Sequence, residues 1–172
     1  MSAGDASEDA SPDVPSHWTV EDAGRLLFLL TRHAHAKDAG RFVADATACY
    51  EQGDTREQQS WMRGVALLPD AEQYLPVVVD ACRTNILPLF EAISCDNAYP
   101  ARYFPERNFN QMVLKALFNN VALARIQGLA DRANPELARM AGDYAAERRA
   151  AGRSVPSDIA LAMTGATARR TE

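Results

Sequence analysis

The chain has 172 residues and a mass of 18.8 kDa, with 47% hydrophobic residues, 24% charged residues and a net charge of −5. These values fit one globular domain and exclude collagen-like, low-complexity and wholly disordered proteins. Because 18 basic residues stand against 23 acidic ones, there is no cationic excess, and we expect no nucleic-acid partner.

The beginning of the chain is rich in Ser, Asp, Ala and Pro, which predicts a disordered acidic tail over residues 1–17. It lacks the basic start and the apolar run of a signal peptide. The longest apolar run, residues 26–30, is far shorter than the roughly 20 residues of a membrane span. Cys49, Cys82 and Cys95 form no CxxC pair and are expected to be small buried hydrophobes. We therefore expect a cytoplasmic protein without membrane insertion.

The first predicted helix begins near Thr19, which forms a capping-box pattern with Asp22. Its apolar run at 26–30 faces nearly every direction, which predicts a central helix. Helical spacing of apolar residues predicts two further helices, over about 40–52 and 54–67.

The middle of the chain is cut by Pro69, Pro76 and Pro88 into short segments that each open at a proline. This pattern predicts short stacked helices, for which HEAT-like helix pairs are one arrangement. The three valines at 77–79 leave a β-strand open as the alternative.

The last third has clear loop and helix signals. They predict a loop over 96–105, a helix over 105–121, a turn over 128–133, a helix from Asn134-Pro135 to about 151 closed by Gly152, and a short final helix. Residues 166–172 are expected to be frayed. The fold class is therefore all-α, with one compact domain of about six to eight helices over residues 18–165.

The 105–121 helix carries a stripe of four polar side chains, Asn108, Gln111, Lys115 and Asn119. Asn110 and Asn120 instead project among apolar residues, where an unpaired amide costs about 1–3 kcal/mol. One interpretation is a solvated stripe plus two amides that hold loop backbone. The other makes the stripe one wall of a polar ligand cavity.

Lys115 is one of two lysines among 18 basic residues. A buried ammonium has a lowered pKa and suits a Schiff base or an anionic ligand, whereas a snorkelling surface lysine is the simpler interpretation.

Four aromatic residues lie within eleven positions of the sequence: Tyr99, Tyr103, Phe104 and Phe109. They fit either a patch that closes over an apolar or aromatic ligand or the cap of the core.

The last long helix places Arg139, Asp143 and Glu147 on one face, where Arg139 and Asp143 can pair. Two neighbouring carboxylates occur in metal sites and acid/base pairs, but also on many exposed helix faces. His33 and His35 are two residues apart, so on a helix they cannot hold one ion, and His33 is expected to be semi-buried. We predict no metal site and no cofactor.

Five segments resemble the EboA family: DACRTN at 80–85, LFEAI at 89–93, NAYPARYFPE at 97–106, FNQMVLKALF at 109–118 and RANPELARMAGDYAAERRAAGR at 132–153. The resemblance implies a bacterial metabolite-traffic protein, encoded beside a prenyltransferase, a TatD-like hydrolase and other enzymes in clusters linked to secondary-metabolite export. It carries over no catalytic residue.

From the stripe, the aromatic patch and the segments of the resemblance we predict one set of ligand-binding residues: Asn85, Asn97, Tyr99, Tyr103, Phe104, Asn108, Asn110, Gln111, Lys115, Arg132 and Asp143. They are expected around a pocket between the 105–121 and 135–151 helices, under the 96–105 loop.

The first functional hypothesis is a protein that binds a small hydrophobic or aromatic metabolite and hands it to other cluster-encoded proteins. The second is a small cofactor-free isomerase, cyclase or lyase that uses Lys115 or Asp143 as general acid or base. The third is a scaffold that contacts cluster-encoded partner proteins through an apolar groove.

Overall fold

The computed structural model describes residues 18–35 and 38–164 of the chain. The predicted acidic tail at 1–17 and the predicted frayed end at 166–172 lie outside these ranges. Within them the chain forms ten α-helices and no β-strand, which confirms the all-α prediction: α1 (Val20–Ala34), α2 (Ala39–Gln52), α3 (Thr55–Gly64), α4 (Leu75–Ala81), α5 (Leu87–Ser94), α6 (Tyr99–Tyr103), α7 (Glu106–Phe118), α8 (Leu129–Arg132), α9 (Pro135–Ala150) and α10 (Ala160–Met163).

Helix α1 begins with the predicted capping box, in which Thr19 and Asp22 each bind the other's backbone N–H. Its position is not the predicted one. Leu26 and Leu29 are buried, but Leu27 is 65% exposed and Phe28 is 68% exposed. The prediction of a central helix is therefore wrong, because the described residues cover only one face of the apolar run.

Helix α3 takes the central place in the first half of the molecule, since it packs against both α1 and α5. Asp54 and Glu57 form a capping box at its start. Trp61 and Met62 are buried along it. The predicted helix over 54–67 tightens after Gly64 into a 3₁₀ turn at Val65–Leu67. A Cβ at Gly64 would lie 3.0 Å from a methyl group of Leu26, so glycine here allows α1 to approach closely.

Two of the three prolines that were predicted to open short segments do begin helices, whereas Pro69 lies in a turn before the 3₁₀ helix Ala71–Tyr74. Pro76 and Pro88 lie in the first turns of α4 and α5, where the missing N–H costs no helical hydrogen bond. Residues 77–79 lie inside α4, so the strand alternative is wrong. Two segments predicted as loop and turn contain helices, α6 within 96–105 and α8 within 128–133. Each is shorter than two turns, which is too short for apolar residues to repeat at helical spacing, so periodicity did not predict either helix.

Helices α7, α9 and α10 pack together in the second half of the molecule. The buried hydroxyl of Tyr144 on α9 donates to the carbonyl of Leu117 on α7 at 3.0 Å. Gly152, with φ 67°, follows α9 as predicted. Helix α7 ends at Phe118, and Asn120 is exposed with φ 54°, so its predicted position among apolar residues is wrong.

The cysteines differ in their surroundings and are all free. Cys95 is buried, Cys82 is half-buried and Cys49 is exposed, so the expectation of three buried cysteines is wrong for Cys49. Within the described ranges, no helix combines the length and the hydropathy that crossing a bilayer requires.

Candidate functional site

A groove of about 440 Å³ lies between α1, α2 and α3. Its size falls within the range of small-molecule sites, roughly 300–1,000 Å³. The lining combines apolar and aromatic side chains with a few polar ones: Gly24, Arg25, Leu26, Phe28, Leu29, Cys49, Gln52, Gly53, Glu57, Ser60, Trp61 and Leu68.

The indole of Trp61 is held rigidly in the groove wall. Its Nε1 donates to the carbonyl of Ala46 at 2.9 Å. The ring of Tyr74 meets it edge-on at 5.3 Å, and the ring of Tyr50 is tilted against it at 5.2 Å. Because hydrogen bonding and ring packing fix the indole, this part of the groove wall is preformed.

A chain of hydrogen bonds positions Arg25, one of the polar residues in the groove lining. Its Nη1 donates to Ser60 Oγ at 3.0 Å, and that hydroxyl donates to Asp22 Oδ1 at 2.6 Å. Arg63 Nη1 lies 3.0 Å from the same carboxylate oxygen. The guanidinium of Arg25 is thereby oriented by a buried carboxylate behind it.

The Asp22 carboxylate is itself held in its charged form. Burial by itself would raise its pKa, but the hydrogen bonds from Ser60 and Thr19 and the charge of Arg63 outweigh burial and lower the pKa below its ordinary value of 3.8. Asp22 therefore stays ionised at neutral pH and compensates the guanidinium of Arg63, whereas Arg25 lies 3.8 Å from the carboxylate of Glu21.

Sequence reasoning missed this groove. Its residues come from three helices, and neither Arg25 nor Trp61 stands in a recognisable motif. One sequence feature could have indicated the groove. The apolar run at 26–30 has more apolar side chains than a single buried helix face can cover.

Four of the eleven predicted ligand-binding residues lie together in a smaller cleft of about 130 Å³: Phe104, Asn108, Gln111 and Lys115. The opposite wall comes from Val79, Cys82 and Arg83, at the end of α4. The cleft thus opens toward α4 and not between α7 and α9, where it was predicted.

The ammonium of Lys115 in that cleft is already bound to protein oxygens. Nζ donates to the carbonyls of Cys82 and Thr84, both at 2.6 Å, and lies 5.0 Å from the ring centroid of Phe90. Burial lowers the pKa of Lys115. Burial also raises the pKa of the neighbouring Cys82 thiol to about 12, so this thiol is uncharged at neutral pH.

The predicted aromatic patch packs inside the core. Tyr99 and Phe109 are fully buried, and the Tyr99 hydroxyl donates to the carbonyl of Ala71 at 2.7 Å. The Tyr99 ring contacts Tyr103 at 4.7 Å and Phe104 at 6.3 Å between centroids. These contacts match the interpretation in which the rings cap the core.

The predicted amides Asn97 and Asn110 form buried hydrogen bonds, the first to backbone and the second to another side chain. Asn97 Nδ2 donates to the carbonyls of Met62 and Ala92, both at 2.9 Å. Asn110 binds the side chain of Asn134.

Arg132 ties the segment around α6 to the rest of the molecule. It donates to the carbonyls of Ala101 and Phe104, both at 2.7 Å. Its guanidinium also lies 4.6 Å from the ring centroid of Phe109.

Asn85 and Asp143, the remaining members of the predicted set, are exposed. Asp143 forms the predicted ion pair with Arg139 at 2.7 Å. It is not among the residues that line the cleft of Lys115. In the described part of the chain, no group of three or more His, Cys, Asp or Glu residues is placed to hold a metal ion.

A family model described as "Metabolite traffic protein EboA" matches residues 3–164. No curated protein and no solved structure matches the chain.

Proposed function

The chain belongs to the EboA family, and we propose that it serves metabolite traffic by binding a small, largely apolar metabolite in the groove between α1, α2 and α3. The observation that carries this proposal is the groove itself, which combines a volume of about 440 Å³ with apolar side chains around a fixed indole. Burial of apolar ligand surface stabilises a complex by about 25 cal/mol per Å² before the costs of association.

The polar residues of the groove indicate what the ligand carries at one end. A guanidinium presents five N–H donors in a rigid fork. In Arg25, only Nη1 is engaged by Ser60 and Glu21, at 3.0 and 3.8 Å. The proposed ligand therefore has an apolar or aromatic body and an oxygen acceptor, such as a carbonyl or carboxylate, that Arg25 binds.

The set of ligand-binding residues predicted from the sequence stays a prediction. Its strongest part is the cleft with Phe104, Asn108, Gln111 and Lys115, which we propose as a subsidiary polar site. The enzyme hypothesis gains no support from geometry, because Lys115 is bound to two carbonyls and Asp143 is paired with Arg139.

We also propose a cytoplasmic location, which three free cysteines support.

The proposal is tested with 1-anilinonaphthalene-8-sulfonate, a fluorescent probe that has an aromatic body and an anionic end. We expect saturable binding to the full chain, weakened at least about tenfold by Phe28→Gln and by Arg25→Gln. Phe28 is 68% exposed, so its replacement is expected to leave the fold intact. Native mass spectrometry of protein from the source organism then identifies a retained metabolite.

The matched control is Phe118→Gln, which removes an equally large apolar side chain, 57% exposed, from α7, away from the groove. It is expected to leave probe binding unchanged. Equal binding by the wild type, Phe28→Gln and Arg25→Gln would overturn the proposed site.

A further inference from the structure

A second cleft, of about 300 Å³, lies beside the ends of α7 and α9. It is lined by Leu117 in the last turn of α7 and by residues 120–122, which follow that helix. Arg148 in the last turn of α9 and residues 154–158 complete the lining. The cleft shares no lining residue with the groove between α1, α2 and α3. Its volume is at the lower end of the range of small-molecule sites, so it fits a small ligand.

The guanidinium of Arg148 is held by protein oxygens and keeps donors free. Its Nε donates to the carbonyl of Ser154, and its Nη1 donates to the hydroxyl of Tyr144 at 3.3 Å. A guanidinium has five N–H donors, so these two bonds leave three. In the described part of the chain, no carboxylate pairs with Arg148. Arg148 can therefore bind an anionic group in the cleft, such as a carboxylate.

Asp158 brings the opposite charge to the same cleft. Its Oδ2 accepts the backbone N–H of Leu123 at 2.7 Å, which orients the carboxylate. Among the described residues, Oδ1 has no hydrogen-bond partner, and Asp158 forms no ion pair with Arg148 or with any other cation. Both charged residues are half-buried, where opposite charges attract each other more strongly than in bulk water. The cleft thus presents one cation and one anion that are fixed in place without contacting each other.

Apolar side chains lie in the cleft beside the two charges. Leu117 and Val121 are buried, and Val155 and Pro156 are half-buried. An α-amino acid carries a carboxylate, an ammonium and a side chain on a single carbon, so an aliphatic amino acid matches the cation, the anion and the apolar lining together. A simple carboxylate or a simple amine would leave one of the two charges of the cleft unmatched.

We propose that this cleft binds a small aliphatic α-amino acid. The ligand carboxylate binds the free donors of Arg148, the ammonium binds Oδ1 of Asp158, and the aliphatic side chain packs on Val121 and Val155. Charged partners on both sides make these hydrogen bonds stronger than neutral ones. The site goes beyond the proposed function and uses none of the residues of the groove, so either site can fail while the other holds.

Isothermal titration calorimetry of the full chain with L-leucine tests the proposal. We expect saturable binding with a dissociation constant on the order of 1 mM or lower. Leucinamide, which lacks the carboxylate, and isocaproate, which lacks the ammonium, are expected to bind at least about tenfold more weakly. Absence of saturable L-leucine binding, or equal binding of the three compounds, would overturn the proposal.

Two variants test the assigned residues. Asp158→Asn removes the charge but keeps an oxygen that can accept the N–H of Leu123, so the fold is expected to stay intact. This variant and Arg148→Gln are each expected to weaken L-leucine binding at least about tenfold. The matched controls Asp131→Asn and Arg149→Gln change exposed residues outside the cleft and are expected to leave binding unchanged.

Phe28→Gln, which tests the groove, separates the two sites. It is expected to leave L-leucine binding unchanged, because Phe28 does not line the cleft. Loss of L-leucine binding in Phe28→Gln would place the amino acid in the groove and overturn the proposal. Wild-type affinity in both Asp158→Asn and Arg148→Gln would overturn it as well.

Discussion

Asn110 and Asn134 exchange two side-chain hydrogen bonds, in which Nδ2 of each donates to Oδ1 of the other at 3.1 and 2.9 Å. Both residues are buried. Asn134 Oδ1 also accepts the backbone N–H of Leu137, so the same amide caps α9. The pair fixes where α9 begins relative to α7.

Asn110→Leu is expected to lower the free energy of unfolding by about 2 kcal/mol, because it leaves the buried Asn134 amide without its partner. Urea denaturation measures the change. Gln111→Leu, at the exposed next position on α7, is the control and is expected to change stability by less than about 0.5 kcal/mol. Equal losses for both variants would contradict a specific role of the amide pair.

The buried Asp22 carboxylate is expected to make stability depend on acidity. Because its pKa is lower in the folded chain than the ordinary 3.8, the stability it contributes is complete above about pH 4. That contribution is lost as the pH falls through the lowered folded pKa.

Asp22→Asn removes the charge that Arg63 and Ser60 bind and is expected to cost about 1.5–3 kcal/mol at neutral pH. The difference from wild type should shrink below about pH 4, as measured by denaturation at a series of pH values. Asp143→Asn, at an exposed carboxylate, serves as control. If the unfolding free energies of wild type and Asp22→Asn differed by the same amount from neutral to acidic pH, the lowered pKa of Asp22 would be contradicted.

Lys115→Met is expected to destabilise the chain by about 1–3 kcal/mol, because the carbonyls of Cys82 and Thr84 lose the cation that binds them at the end of α4. The exposed cation Arg107 on the same helix provides the control Arg107→Met, which is expected to be neutral. Thermal denaturation compares the two. An unchanged melting temperature for Lys115→Met would argue for a ligand role of the ammonium over a structural one.

Substitutions at two glycines with positive φ allow the stability cost of backbone strain to be measured apart from that of a steric contact. Gly128, with φ 69°, has Ala101 Cβ only 2.7 Å from where its own Cβ would lie, whereas Gly152, with φ 67°, has open space among the described atoms. Gly152→Ala is expected to cost about 1 kcal/mol for the left-handed conformation.

Gly128→Ala is expected to cost clearly more, since the contact with Ala101 adds to the same strain. Urea denaturation of both variants gives the difference directly. Equal losses of unfolding free energy in the two variants would mean that the segment around α6 moves away from residue 128 without a free-energy cost.

The amino-acid sequence by itself determined the helical class, the starts of the longer helices and the local devices that set them. The capping box at Thr19 and Asp22, proline in the first turns of α4 and α5, and Gly152 after α9 are all confirmed. These features involve residues within one or two turns of each other, so their physics is contained in the local sequence.

Tertiary structure decided which faces are covered and where a ligand fits. The sequence shows five apolar residues at 26–30, but only packing on α3 selects Leu26 and Leu29 for burial and leaves Phe28 outside. The groove joins residues from Gly24 to Leu68 across three helices, and Lys115 meets carbonyls more than thirty positions away. Such contacts depend on how helices pack against each other, so the spacing of apolar residues within one helix does not predict them.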